Sequence, residues 1–310
     1  YYETIITRTI TKKYGIQTTK GNIMITEHFD YHSPSTLNEI FKLMEENDGA
    51  KILAGGHSLL PMMKIRFSDP AHLIDINGID ELKGITEVDG KIHIGAMTTE
   101  NELINSDLLI QKVPIIVEAA KLIADPQVRN RGTIGGDIVH GDPGNDHPSI
   151  MMALDATFIL ADPNGERAVH ANSFFLGTYW TELGENEILK EVQLPIPSEN
   201  HGYSYTKFKR KTGDFATAAT AVVLSLNGDV CSSINIVMTN VGPTAIKVEE
   251  AEALLIGKVI DDELINQAAQ KAMEICNPIE DLRGNVAYKT HMAGEMTRKA
   301  IQTALSRATG

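Results

Sequence analysis

Lys51-Ile52-Leu53-Ala54-Gly55-Gly56-His57-Ser58 and Arg131-Gly132-Thr133-Ile134-Gly135-Gly136-Asp137 decide how this chain reads. In each stretch, paired glycines sit beside small hydroxyl residues where a hydrophobic run ends. Glycine has no Cβ, so backbone N–H groups can converge on an anion at van der Waals distance. Ser58, Thr133 and Asp137 can add side-chain hydrogen bonds. Two such loops, far apart in sequence, read as two walls of one extended cradle, longer than a single phosphate needs. A dinucleotide with its diphosphate has that length. Taken singly, each loop also reads as an ordinary tight turn, because Gly-Gly marks turns. The chain contains neither G-x-G-x-x-G nor G-x-x-x-x-G-K-[ST]. A dinucleotide would therefore be held by something other than a Rossmann turn or a P-loop.

Outward from these loops, alternating patterns divide the chain. Ser33-Pro34-Ser35 opens a helix with apolar Leu37, Ile40, Phe41 and Met44 at helical spacing. Asn47-Asp48-Gly49 ends it, and Ala50 to Leu53 is a short buried strand that delivers the first glycine loop. His72 to Ile76 is a second strand, closing a subdomain over 25–77. Gly90 to Met97 reads as a strand, Thr98-Thr99-Glu100 as a helix cap, and Pro114 to Ile123 as a helix. Asp125-Pro126 leads to the second motif, and Ala156 to Leu160 with Ala168-Val169 completes a second subdomain over 78–198. The character then changes. Glu187 to Leu194, Tyr203 to Arg210, Ala218 to Leu226 and Ser232 to Asn240 read as antiparallel strands, with Asn227-Gly228 as a hairpin signal. Helical periodicity follows over 245–256, 261–275 and 287–307, so 199–310 reads as a small sheet with a helical layer. The expected class is α+β.

Composition excludes several functions. The 310 residues carry 41 acidic and 28 basic side chains, a formal net charge of −13, which disfavours nucleic acid and anionic membranes as partners. No apolar stretch approaches the roughly 18–20 residues of a membrane span. Cys231 and Cys276 are the only cysteines, and isolated. A disulfide framework is not expected, and a cytoplasmic location follows by default. Two cysteines are also too few for the chain to ligate an iron–sulfur cluster alone. Residues 1–24 are Thr-rich and basic without the apolar core of a signal peptide. They read as an extension, with Met24 as the original start.

Read in full, Lys51 to Phe67 resembles the FAD-binding medium subunit of molybdenum hydroxylases, of the carbon monoxide dehydrogenase and xanthine dehydrogenase type. Arg131 to Asp146 is similar to that family's second FAD motif, and Lys207 to Ala219 to its third recurrent segment. The resemblance runs from about Ile25 to the C-terminus. It implies a two-subdomain FAD-binding fold of the PCMH/vanillyl-alcohol-oxidase type, followed by a C-terminal flavoprotein domain. It implies FAD as cofactor, held by Ala54, Gly55, Gly56, His57, Ser58 and Leu59 of the first motif and Thr133, Ile134, Gly135, Gly136 and Asp137 of the second. Asp146, Leu189, Tyr205 and Lys209 complete the implied set. The first loop's N–H groups would take the pyrophosphate. Asp137, which must avoid phosphate, would take hydroxyl groups, and Asp146 the adenosine hydroxyls. Tyr205 would lie beside the isoalloxazine or, equally, be a strand aromatic. Lys209, Lys211 and Asp214 would lie near the pyrimidine end or in water, and Arg129 and Arg131 near the diphosphate or in water. The scarcity of cysteines argues against the benzoyl-CoA-reductase-like branch, which carries an extra cluster in this subunit.

The implied function is electron transfer without substrate chemistry in this chain, so no catalytic residue and no metal ligand is assigned. A large molybdopterin subunit would oxidise substrate. A small [2Fe–2S] subunit would relay electrons to FAD, which would pass them to an external acceptor in a heterotrimer or its dimer. A free-standing FAD-dependent oxidoreductase is the alternative on the same fold. A metal-dependent hydrolase using His140, Asp142, Asp146 and His147 is the rival from another class. His57 beside Ser58 invites a nucleophile reading, but adjacent residues seldom face each other productively and no orienting third group is evident.

Overall fold

The computed structural model describes residues 25–309, so the reading of 1–24 lies outside the described residues. Strand β1 (Asp30–His32), helix α1 (Leu37–Glu46), strand β2 (Lys51–Leu53), helix α2 (Leu59–Lys64) and strand β3 (His72–Asp75) form the first unit. Its parallel sheet has the order β1-β3-β2. Thr36, rather than the preceding Ser-Pro-Ser, caps α1 by accepting from the Glu39 N–H. Ile40 and Phe41 pack from α1 onto Ile74, Ile76 and Ile79. Ile52 of β2 and Ala54, which follows it, pack against this core, so the first glycine loop starts from its margin.

The second unit is an antiparallel five-stranded sheet of order β4-β5-β10-β6-β7. Its strands are β4 (Ile85–Val88), β5 (Lys91–Gly95), β6 (Thr157–Asp162), β7 (Gly165–His170) and β10 (Ile188–Pro195). Between β5 and β6 lie short helices: α3 (Glu100–Ile104), α4 (Asp107–Lys112), α5 (Pro114–Ala120), α6 (Pro126–Arg129), α7 (Ile134–His140) and α8 (His147–Ala153). After β7 come α9 (Ala171–Phe174) and a small ribbon of β8 (Phe175–Gly177) and β9 (Trp180–Thr181).

The third unit is an antiparallel sheet in sequence order of β11 (Gly202–Phe208), β12 (Ala218–Asn227), β13 (Val230–Thr239) and β14 (Ile246–Lys247). Asn227 pairs with Val230 across a two-residue turn in which Gly228 takes φ +60, the left-handed geometry that a tight hairpin demands. Helices α10 (Glu249–Leu255), α11 (Asp262–Glu274) and α12 (Val286–Thr309) cover one face.

Three expectations need correction. The 187–194 strand does not join the C-terminal sheet: β10 lies at the centre of the second sheet, between β5 and β6. Strand type is visible in a sequence, but partners many residues away are not. The 245–256 segment is not helical throughout, because Ile246–Lys247 pair with Val237 and Met238 before α10 begins. The second glycine motif is not a loop: Thr133 is the N-cap of α7, and both glycines lie in its first turn.

Candidate functional site

The two motifs meet. An added Cβ at Gly55 would run into the backbone carbonyl of Arg131, and one at Gly136 would come 3.6 Å from the Cβ of Ala54. Glycine is required at 55 because two backbones touch there. Beside this junction opens a cleft of about 790 Å³. Its walls include Ala54 to Leu59, Met97, Thr133, Gly135 to Asp137, Ile188 and Leu189, Asp146 and Lys207.

The motifs contribute differently. Among the described residues, none of the N–H groups of Gly55, Gly56, His57 and Ser58 donates to a protein acceptor. The Ser58 side chain makes no capping bond either. Gly56 adopts φ +76, which turns the loop. A row of free donors on a curved backbone is an anion nest. In the second motif the donors are spent inside the protein. Ile134 donates to Thr98 O at 3.0 Å and Gly135 to Ala96 O at 2.9 Å. Gly136 donates to Thr133 Oγ1 at 3.2 Å, and Asp137 to Thr133 O at 3.0 Å. The expectation that both loops offer backbone donors therefore holds for the first alone. The second offers a flat glycine surface for close approach, with the Asp137 carboxyl at its end.

Below that surface lies a cluster of buried charge. His147 Nε2 sits 2.9 Å from both Glu100 carboxylate oxygens, at 0% and 2% side-chain exposure. Burial opposes the imidazolium, but Glu100, with Asp137 and Asp146 nearby, outweighs it and lifts His147 to about 9. Lys207 Nζ donates to Asp146 at 2.6 Å, and the Tyr205 hydroxyl donates to the same carboxylate. Asp137 Oδ1 is buried without a partner. Burial, helped by Glu100 and Asp146 and opposed by His147, pushes Asp137 up to about 7.

Of the residues singled out from sequence, Ala54, Gly55, Gly56, His57, Ser58, Leu59, Thr133, Gly135, Gly136, Asp137, Asp146 and Leu189 share the wall. Ile134, Tyr205 and Lys209 are not on it. Ile134 is a core residue. Tyr205 is buried behind the wall, holding Asp146, and Lys209 donates to Leu122 O at 3.1 Å. Lys207 lines the cleft instead, on the strand face it shares with 205 and 209 by period-two alternation, a signal open to sequence reading. Glu100 was legible only as part of a cap. The structure makes Thr99 the cap and Glu102 its partner, which frees Glu100 to turn inward. Of the other candidates, Asp214 lines the cleft and is gripped by Arg210 and Arg283 at 2.9 Å, while Lys211 is exposed. Arg129 donates to Ile123 O at 2.8 Å and Arg131 to Asn77 Oδ1 at 3.4 Å, so both tie loops together.

His140, Asp142, Asp146 and His147 do not converge. The His140 ring packs at a tilt against Tyr179, Asp142 accepts from Gly144 N and the Tyr179 hydroxyl, and the other two have the partners given above. Among the described residues no group of three His, Cys, Asp or Glu is arranged to hold a metal. No helix among them is long and apolar enough to cross a membrane.

Two glycine motifs brought together on one large cleft of an α+β fold, the first with its N–H groups unspent among the described residues, mark the class as a candidate nucleotide-binding protein. The comparisons make this specific. The family described as "FAD binding domain in molybdopterin dehydrogenase" matches residues 27–197, and "CO dehydrogenase flavoprotein C-terminal domain" matches 203–304. The carbon monoxide dehydrogenase medium chain of Hydrogenophaga pseudoflava is 53% identical, over 92% of this chain and 99% of that one. The corresponding chain of Afipia carboxidovorans is 45% identical over 92% and 99%. A carbon monoxide dehydrogenase structure from H. pseudoflava superposes with a TM-score of 0.91 at 54% identity, covering 92% of this chain and 99% of that one. Quinoline 2-oxidoreductase from Pseudomonas putida 86 superposes at 0.89 with 33% identity, over 93% and 100%. The chain belongs to the FAD-binding medium-subunit family of the molybdenum hydroxylases. Its cofactor is FAD, and it is an oxidoreductase subunit.

The residues present fit that group. The N–H row suits a diphosphate, the glycines of α7 suit close approach of a flat or extended moiety, and Asp137, on the cleft wall with its Oδ1 unpartnered, offers a polar contact.

Proposed function

We propose that this chain is the electron-transfer flavoprotein of a carbon-monoxide- or aldehyde-dehydrogenase-type complex. It takes electrons from [2Fe–2S] clusters of a small subunit while a large molybdopterin subunit oxidises the substrate, and it delivers them to an external acceptor. The observation that carries this reading is the row of N–H groups at Gly55 to Ser58, without a protein acceptor among the described residues, lining one cleft together with Thr133, Gly135, Gly136 and Asp137. Similarity over nearly the whole length to medium chains of carbon monoxide dehydrogenases supports the choice of complex. When bound, FAD supplies the exchange between one- and two-electron chemistry. The chain's residues do the rest. The first loop anchors the diphosphate without rotamer cost, α7 and β10 form the opposite wall, and the buried pairs Glu100–His147 and Asp146–Lys207 hold that wall rigid. In this reading substrate chemistry belongs to the large subunit, and the residues of this chain bind and orient the cofactor.

Assembly as a heterotrimer or its dimer, in the cytoplasm, completes the proposal. Both cysteines are free, as a reducing compartment keeps them. The test is to incubate the chain with FAD, alone and with its copurifying subunits, remove excess and record the visible spectrum. Flavin bands, with FAD and not FMN released on denaturation, are expected. A folded chain that stays colourless in both settings overturns the reading.

A further inference from the structure

The cluster beneath α7 holds more acid than base. Three carboxyls, Glu100, Asp137 and Asp146, face two cations, His147 and Lys207. Both cations are committed: His147 sits against both oxygens of Glu100 and Lys207 against Asp146, each pair nearly free of solvent. Asp137 has no partner for Oδ1. Burial, with Glu100 and Asp146 beside it, outweighs the His147 imidazolium and main-chain N–H, which favour the charged Asp137 carboxyl. Lys209, which also feels Asp146, donates to Leu122 O. His140, one turn along the same helix, is disfavoured as a cation by burial, although Asp142 pulls the other way. Asp142 and Tyr179 bond to each other. Glu187, ahead of β10, is held by Arg167, and the Tyr205 hydroxyl is spent on Asp146. Asp137 is half-buried, with Oδ1 out of reach of solvent and unpartnered. A carboxylate in excess of the cations beside it is costly, and one proton on Asp137 brings the two carboxylates and two cations of these pairs to zero net charge.

We propose that Asp137 meets the cofactor as an uncharged carboxylic acid, a hydrogen-bond donor, and that FAD uptake is thereby coupled to a proton held at this one side chain. The inference rests on the cleft being the FAD site. An ionised Asp137 in the same place would face a dianionic diphosphate group in a shared low-dielectric cleft and repel it. The neutral acid removes that repulsion and adds a donor opposite the nest of the first loop. Deprotonation therefore opposes binding, and affinity falls by on the order of tenfold per pH unit once the solution passes the point at which the free chain gives up this proton.

The experiment is FAD affinity against pH, read by quenching of flavin fluorescence, with the full chain stripped of FAD, alone or reassembled with copurifying subunits. The window runs from about pH 5.5 to about pH 8, below the point at which His147 is discharged. The native chain is expected to bind evenly at the acid end and progressively more weakly above about pH 7. Asp137→Asn, which keeps a donor and cannot titrate, is expected to bind FAD with an affinity that is the same at the acid and alkaline ends. Asp137→Ala is expected to be weaker by about tenfold at the acid end and equally flat, with circular dichroism verifying its fold. A native chain whose affinity does not change with pH, or an Asn variant that loses FAD at every pH, overturns the inference and leaves the flavoprotein reading intact. A folded native chain that takes no FAD at any pH overturns both.

Discussion

Gly56 and Gly135 look alike in the sequence and carry different constraints. Gly56 takes φ +76, and its added Cβ would meet only the flexible ends of Leu60 and Leu53, at 3.1 and 3.3 Å. Gly56→Val is expected to abolish FAD retention while costing about 1–2 kcal/mol through the left-handed backbone, so far-UV circular dichroism stays native. Gly135 lies against the Cβ and carbonyl oxygen of Ala96, each 2.6 Å from an added Cβ. Gly135→Val is expected to lose about 1–3 kcal/mol by overpacking against backbone, seen as a lower urea midpoint with or without FAD. Glu100→Gln takes from the buried His147 the carboxylate it bonds, leaving only the more distant Asp137 and Asp146, and is expected to cost up to about 3 kcal/mol near neutral pH. His147 is raised from its ordinary 6.5 to about 9. Its stabilisation is therefore complete below about pH 6.5 and lost as pH rises through about 9. Urea midpoints of the native chain should fall across that window, and the Gln variant should show a much flatter profile there. A native profile without that fall would deny the charge on His147.

Among the elements, α7 and β10 account for most of what sequence reading misplaced. A Gly-Gly pair has poor helix propensity, so the second motif reads as a turn. The helix forms because Thr133 caps it and the N–H groups of Ile134 and Gly135 find Thr98 and Ala96. Those partners lie more than thirty residues upstream, where local propensity has no reach. Strand β10 reads correctly as a strand and is wrongly grouped with the strands that follow it, because alternation sets the buried face and not the partner. The third unit has a comparable close approach. Gly202 opens β11 directly beneath the backbone of α12, where an added Cβ would strike the carbonyl of Ala304. Gly202→Val is expected to push α12 off the sheet, lowering stability by about 1–3 kcal/mol or more, whereas Gly228→Asn in the β12–β13 turn should be nearly neutral. Equilibrium unfolding of the two variants side by side checks this.

For the molecule as a whole, the cleft lies where the first glycine loop meets the second sheet, so occupancy ties separate cores together. FAD at about 100 times its Kd is expected to add about 2.7 kcal/mol, read as a rise in Tm of several degrees that grows with FAD concentration. A Tm indifferent to FAD would place the cofactor elsewhere. The α+β class, the order of the units and the two glycine motifs were legible in the chain, because periodicity and missing Cβ atoms are local properties. The resemblance of three motifs in order was enough to point to the medium subunit and to FAD. What folding alone decided is which groups face one another: that only the first loop keeps its donors free, that Lys207 and not Lys209 reaches the cleft, and that Glu100 finds His147 from 47 positions away. Charge pairing and donor satisfaction depend on distances between segments remote in sequence, and those distances exist only once the sheets have packed.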